Sequence, residues 1–72
     1  MKKIGLIIKK NSKNLSQIIR LIEDLLIQNN SSAFCLESDQ KYFLKMREKN
    51  ILTNDLFFKT VDFIIVIGGD GT

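Results

Sequence analysis

Residues 61–72 read VDFIIVIGGDGT, an apolar run followed directly by a glycine-rich turn. Phe63 to Ile67 are all apolar and mostly β-branched, which is typical of a buried strand. Gly68 ends the run, since glycine interrupts regular strands. The segment therefore predicts a strand over Asp62 to Ile67, the strongest in the chain, with a loop at its carboxyl end.

Upstream of this run the chain alternates between strand and helix patterns. Residues 3–8 predict a first strand that is covered on both faces, and Ala33 to Glu37 predict a short second strand. Between them lies an amphipathic helix, with Asn14 and Gln17 expected to form a capping box and Asn29-Asn30 a left-handed turn at the end. The apolar face of this helix is predicted to comprise Leu15, Ile18, Ile19, Ile22, Leu25 and Leu26.

The segment before the last strand has a weaker pattern. Gln40 to Lys49 predicts a second helix with Phe43 and Met46 directed inward, and Asp55 to Lys59 predicts one further helical turn. In the first of these helices Lys41, Lys45 and Lys49 would form a stripe. A solvated face is one interpretation of the stripe, and steering of phosphate-bearing ligands is the other.

The order strand, helix, strand, helix, strand defines the expected fold class. Buried strands that alternate with helices form parallel sheets through right-handed crossovers. We therefore expect an α/β fold with a Rossmann-like parallel sheet, of which these 72 residues supply the N-terminal β-α-β-α-β part.

Composition excludes several classes of site and partner. The 72 residues make one small domain at most, and they include one cysteine and no histidine. A disulfide framework, a cysteine-rich zinc site and the Ser-His and Cys-His dyads are therefore excluded. The net charge of +3 is spread along the chain, so we expect no nucleic-acid partner. The apolar runs are too short for a membrane span or a signal peptide, which favours a cytoplasmic protein with no membrane partner.

The glycine-rich turn, Gly68-Gly69-Asp70-Gly71-Thr72, carries the chemistry. Ligands of open α/β sheets bind beyond the carboxyl ends of the strands, and glycines let a phosphate group approach the backbone. A carboxylate in such a turn repels phosphate unless it holds a metal ion or accepts a proton from an attacking hydroxyl. The pattern therefore suggests phosphoryl transfer to an alcohol, and a plain tight turn is the alternative. The chain has no P-loop and no GxGxxG fingerprint after the first strand.

Residues 61–72 resemble the GGDGT segment of the NAD kinases. Variants of this motif also occur in lipid kinases of the diacylglycerol and sphingosine type and in phosphofructokinases. The opening strand, short loop and amphipathic helix are also similar to the N-terminus of NAD kinases. Bacterial lipid kinases usually carry Asn-Pro and a glycine-rich segment after the first strand. Residues 10–12, Lys-Asn-Ser, lack both features, which favours the NAD kinase resemblance.

The resemblance implies a function and a set of site residues. It assigns phosphoryl transfer from ATP or polyphosphate to the 2′-hydroxyl of NAD, with a divalent metal ion such as Mg²⁺. Asp70 would be the catalytic proton acceptor, Asp70 and Gly71 would line the NAD site, and Gly68, Gly69 and Thr72 would shape the loop near the phosphates. Homo-oligomers are what the family suggests for a full-length protein.

Members of that family continue beyond GGDGT with a helix, an Asn-Glu motif and a β-rich C-terminal domain. Residues 1–72 are therefore expected to be a partial N-terminal domain that is inactive alone. A fragment of a lipid kinase and a non-catalytic remnant are the alternatives.

Overall fold

The part of the chain that the structure describes forms a sheet of four parallel strands. The structure, a computed structural model, describes residues 2–9 and 14–68. The strands are β1 (Lys3–Ile8), β2 (Ser32–Leu36), β3 (Ile51–Leu52) and β4 (Phe63–Ile67), and their order in the sheet is β3-β2-β1-β4. Two α-helices, α1 (Leu15–Gln28) and α2 (Asn54–Thr60), connect them together with two 3₁₀ helices, Glu37–Tyr42 and Glu48–Asn50. The predicted α/β class is confirmed, and the arrangement is consistent with the N-terminal part of a Rossmann-like fold.

The first strand is the centre of the molecule. β1 pairs with β2 on one side and with β4 on the other, and Ile4, Leu6 and Ile8 are buried. These side chains form the main core with Ile19 of α1 and with Phe43. The near-continuous apolar pattern of β1 thus follows from its position between two strands and two helical layers.

The opposite face of the sheet is covered by α2. The fully buried ring of Phe57 lies against Gly5 of β1, where a Cβ atom would come within 2.5 Å of Phe57 Cζ. Glycine at this position allows the helix to approach the sheet closely. The predicted helical turn is confirmed, with Asn54–Thr60 as its bounds.

The two ends of α1 differ from each other in how well the sequence predicts them. Asn14 precedes the helix, but it has a φ of 58° and makes no side-chain capping hydrogen bond, so the predicted capping box is wrong. A left-handed Asn14 does not have the extended backbone that an N-cap side chain needs to reach the first turn. At the other end Asn30 has a φ of 57°, and the Ser31 N–H donates to the Leu26 carbonyl at 2.9 Å, which confirms the left-handed turn.

Two side chains of α1 depart from the predicted amphipathic face. Leu25 was expected to point inward, but it is 56% exposed. Glu23 was expected outside this face, yet it is only 7% exposed. Four of the other predicted apolar residues pack against the core and Ile19 is buried in it, so the face lies slightly nearer Glu23 than the spacing predicts.

The predicted helix over Gln40 to Lys49 is wrong. A 3₁₀ helix ends at Tyr42, Phe43 turns into the core as expected, and Met46 packs partly buried against it. Asn50 then donates from Nδ2 to the Ala33 carbonyl at 2.8 Å, which holds the chain alongside β2. The short strand β3, absent from the sequence prediction, follows at once and pairs with Cys35 and Leu36. Lys41, Lys45 and Lys49 consequently share no helical stripe.

The last strand lies at the edge of the sheet. β4 is confirmed, one residue shorter than predicted, and pairs with β1 alone within the described part of the chain. Ile67 is buried, whereas the side chains of residues 63–66 are between 37% and 58% exposed. Neither α1 nor the seven-residue α2 covers this strand fully, so an apolar surface is open around it.

Candidate functional site

The strand order creates a topological switch point between β1 and β4. From β1 the chain moves through α1 to β2, continues outward to β3, and then returns to the other side of β1 as β4. In open parallel sheets the crevice at such a reversal, outside the carboxyl ends of the strands, is where ligands bind. The switch point thus defines the candidate site by topology.

The carboxyl ends of β1 and β4 are joined at this point. The Lys9 N–H donates to the Ile67 carbonyl at 2.9 Å, directly beneath the start of the glycine-rich turn. Gly68 follows with a φ of 94°, a backbone conformation that other residues rarely adopt. Lys9 and Gly68 are both exposed, whereas Ile8 and Ile67 below them are buried. At this edge, buried apolar side chains at the strand ends are therefore followed by residues whose backbone is accessible to solvent.

Asp39 contributes a carboxylate to the same edge. It lies in the 3₁₀ helix that follows β2, and its Oδ2 accepts a hydrogen bond from the Ile8 N–H at 3.2 Å. Because β2 ends at Leu36, no strand backbone accepts from this N–H, and the side chain of Asp39 takes its place. The end of β1, and with it Lys9, is thereby fixed from the β2 side.

The structure places one of the predicted site residues. Gly68 lies at the carboxyl end of β4, as the sequence predicts for the residue that follows the last strand, and the strand order puts this end at the switch point. Gly69, Asp70, Gly71 and Thr72 lie outside the described residues. Lys9 and Asp39 were missed as site residues. Asp39 had a usable signal, because acidic residues directly after a parallel strand reach the carboxyl edge of the sheet.

The cysteine of the chain is not a nucleophile in this arrangement. Cys35 of β2 is fully buried, and burial raises the pKa of its thiol to about 11, with smaller contributions from Asp39 and Glu23. A thiol that stays protonated at neutral pH is a poor nucleophile and a poor metal ligand. Cys35 therefore acts as a small core residue.

Across residues 2–9 and 14–68, no cluster of three or more Cys, Asp and Glu side chains is arranged to hold a metal ion. Within these ranges, no helix has the length and apolar character needed to span a membrane.

Comparisons with known proteins give no relative. No family model, curated protein or solved structure matches the chain. The site is therefore defined by its own geometry: two adjoining strand ends, an exposed glycine with positive φ, a lysine and an anchored carboxylate. The exposed glycine with positive φ and the lysine suit an anion that lies against backbone N–H groups, whereas the Asp39 carboxylate anchors the end of β1.

Proposed function

We propose that this chain carries the phosphate-binding edge of an NAD kinase, which transfers a phosphoryl group from ATP or polyphosphate to the 2′-hydroxyl of NAD. The observation that carries the proposal is the position of the GGDGT segment. It begins at Gly68, where β4 meets β1 at the switch point of a parallel sheet. Phosphoryl transfer depends mainly on positioning and electrostatic stabilisation, which a glycine-rich turn on a rigid strand end can provide.

The residues at this edge have distinct roles in the proposed reaction. Backbone N–H groups of the turn bind phosphate oxygens, and the Lys9 side chain adds positive charge beside them. Asp70 accepts the proton of the 2′-hydroxyl as that oxygen attacks phosphorus. Asp39 acts indirectly, because its hydrogen bond to Ile8 fixes the strand end from which Lys9 extends.

A divalent cation would supply charge neutralisation of the ATP phosphates when bound. Mg²⁺ is commonly held by one or two carboxylates together with substrate phosphates. No dedicated cage of protein ligands is needed for that mode of binding.

The direct test is Asp70→Asn in a longer open reading frame that includes these residues, assayed for NADP formation. If Asp70 is the proton acceptor, kcat should fall about 10²–10⁴-fold. KM for NAD should change much less, because the amide oxygen of Asn still accepts a hydrogen bond from the hydroxyl. A kcat within about threefold of the unsubstituted enzyme, with chemistry limiting turnover, would exclude the catalytic role and favour a turn residue, for which Asn is nearly equivalent.

Two further measurements separate the proposal from its alternatives. The 72-residue chain alone should form no NADP above background, because catalysis requires positioning within about 1 Å and the NAD kinase resemblance implies that a C-terminal domain supplies much of the NAD site. The longer protein should phosphorylate NAD in preference to diacylglycerol or a sphingoid base with ATP as donor. Phosphorylated lipid without NADP would instead assign the chain to the lipid kinases.

A further inference from the structure

A second concave surface lies at the opposite end of the sheet from the switch point. It is a groove of about 720 Å³ between the C-terminal half of α1, the start of β2 and residues 45–50. The lining includes the apolar side chains of Leu26, Phe34 and Met46. It also includes four ionisable side chains, one acidic and three basic. Ser32 and Ala33, which open β2, also line it, so the groove is separate from the carboxyl edge that Lys9 and Gly68 form.

Three cationic side chains line this groove. Lys45 lies 3.7 Å from Asp24, measured from Nζ to Oδ1, and is therefore partly neutralised. Arg47 and Lys49 are exposed, and neither forms an ion pair with any residue that the structure describes. Two uncompensated cations beside a concave surface are suited to a phosphate group, since arginine binds phosphate oxygens in a bidentate manner and lysine adds a point charge.

The fourth ionisable residue, Glu23, is buried within the lining. Its carboxyl group accepts no hydrogen bond from any residue in the described ranges, although Lys45 and Asp24 are close enough to affect its charge. A carboxyl group that is partly desolvated and accepts no hydrogen bond from the protein is less favourable than one in water. A ligand that presents an N–H or O–H group to Glu23 would remove this unfavourable state.

We propose that the groove binds a phosphate monoester whose apolar or aromatic body carries a hydrogen-bond donor, as a nucleoside monophosphate does. The phosphate pairs with Arg47 and Lys49, and the donor group meets Glu23. The body of the ligand packs against Phe34 and Met46. The proposal does not depend on the NAD kinase proposal, because the two sites share no residue.

The test is a titration with AMP, into the millimolar range, of the ¹⁵N-labelled chain carrying Val66→Lys, a substitution outside the groove that opposes self-association through the exposed strand β4. Backbone amide chemical shifts are followed. Saturable shifts are expected at Ala33, Met46 and Asn50. The double variant Arg47→Gln/Lys49→Gln should weaken AMP binding at least about tenfold, because two charge-assisted hydrogen bonds are lost. The double variant Lys41→Gln/Lys59→Gln is the matched control, since it removes the same charge from residues outside the groove and should bind AMP normally.

A second variant tests the role of Glu23. Glu23→Leu replaces the carboxyl group by an apolar side chain at a buried position of α1, and it should weaken AMP binding without weakening the binding of inorganic phosphate. The proposal is overturned by an absence of saturable shifts, by equal weakening in both double variants, or by equal AMP affinity in Glu23→Leu. Shifts confined to Lys9 and Gly68 would also overturn it and would place the nucleotide at the carboxyl edge. If NAD causes no change in the amide chemical shifts of Lys9 and Gly68, the result counts against the NAD kinase proposal and not against the groove proposal.

Discussion

Burial of Glu23 makes the stability of this fold depend on pH. Burial raises the pKa of the Glu23 carboxyl above its ordinary value of 4.5, an effect that the Lys45 ammonium partly opposes and the Asp24 carboxylate reinforces. The folded state therefore binds this proton more tightly than the unfolded chain does. The resulting stabilisation is complete below pH 4.5 and is lost as the pH rises through the raised pKa of the folded state.

Glu23→Gln should consequently stabilise the protein at neutral pH and not at acidic pH. The amide has no charge to desolvate, so at pH 7 we expect a larger free energy of unfolding and a higher Tm than those of the unsubstituted chain. The gain should disappear near pH 4, and thermal unfolding across this range measures it. Glu48→Gln, at an exposed position, changes the net charge equally and is the control. Equal stabilisation by both variants at pH 7 would show that net charge, and not burial, is responsible.

At the scale of elements, the packing of α2 on β1 depends on the absence of a side chain at Gly5. In Gly5→Ala the new Cβ would lie 2.5 Å from Phe57 Cζ and 3.0 Å from Val61 Cγ1. Because Phe57 is fully buried, its ring has no free space into which to move. We expect a loss of about 1–3 kcal/mol in the free energy of unfolding, measured by urea denaturation. Adding Phe57→Leu should recover part of the loss, and strict additivity of the two substitutions would contradict this packing.

Elements with a strong periodicity could be predicted from the sequence, and elements without one could not. The apolar run of β1 and the helical spacing of α1 each match one structure only. Phe43 and Met46, three residues apart, fit a 3₁₀ turn as well as an α-helix, and the structure joins them by an i to i+3 hydrogen bond from the Met46 N–H to the Phe43 carbonyl. β3 has only two residues, and it depends on the side-chain hydrogen bond of Asn50 to the distant Ala33 carbonyl.

Some residues of the candidate site could likewise be predicted from the local sequence, and others could not. Its glycine-rich turn is a local signal, because glycines directly follow an apolar run. Its other parts depend on strand order: Lys9 belongs to the site because β4 lies beside β1, and Asp39 because β2 ends early enough for its side chain to reach Ile8. Strand order is set by long-range packing, which the local pattern of residues does not encode.

At the scale of the whole molecule, the exposed strand β4 governs association. Residues 63–66 combine apolar side chains with an edge that is unpaired on its outer side in the described structure, and they include no charge, proline or bulge that would oppose pairing with another chain. Leu21 and Leu25 of α1 add further exposed apolar surface. The 72-residue chain should therefore self-associate at micromolar concentration, and light scattering measures this directly.

A charge placed on this strand should prevent the association. Val66→Lys introduces a lysine at the most exposed residue of β4, where pairing with another copy would bury it, so the variant should be monomeric at concentrations at which the unsubstituted chain associates. Leu44→Lys adds the same charge at a position that is 91% exposed and lies outside the strands, and it should associate as the unsubstituted chain does. A clean monomer of the unsubstituted chain would contradict the prediction. Equal loss of association in both variants would show that net charge, rather than the open edge of β4, controls the behaviour.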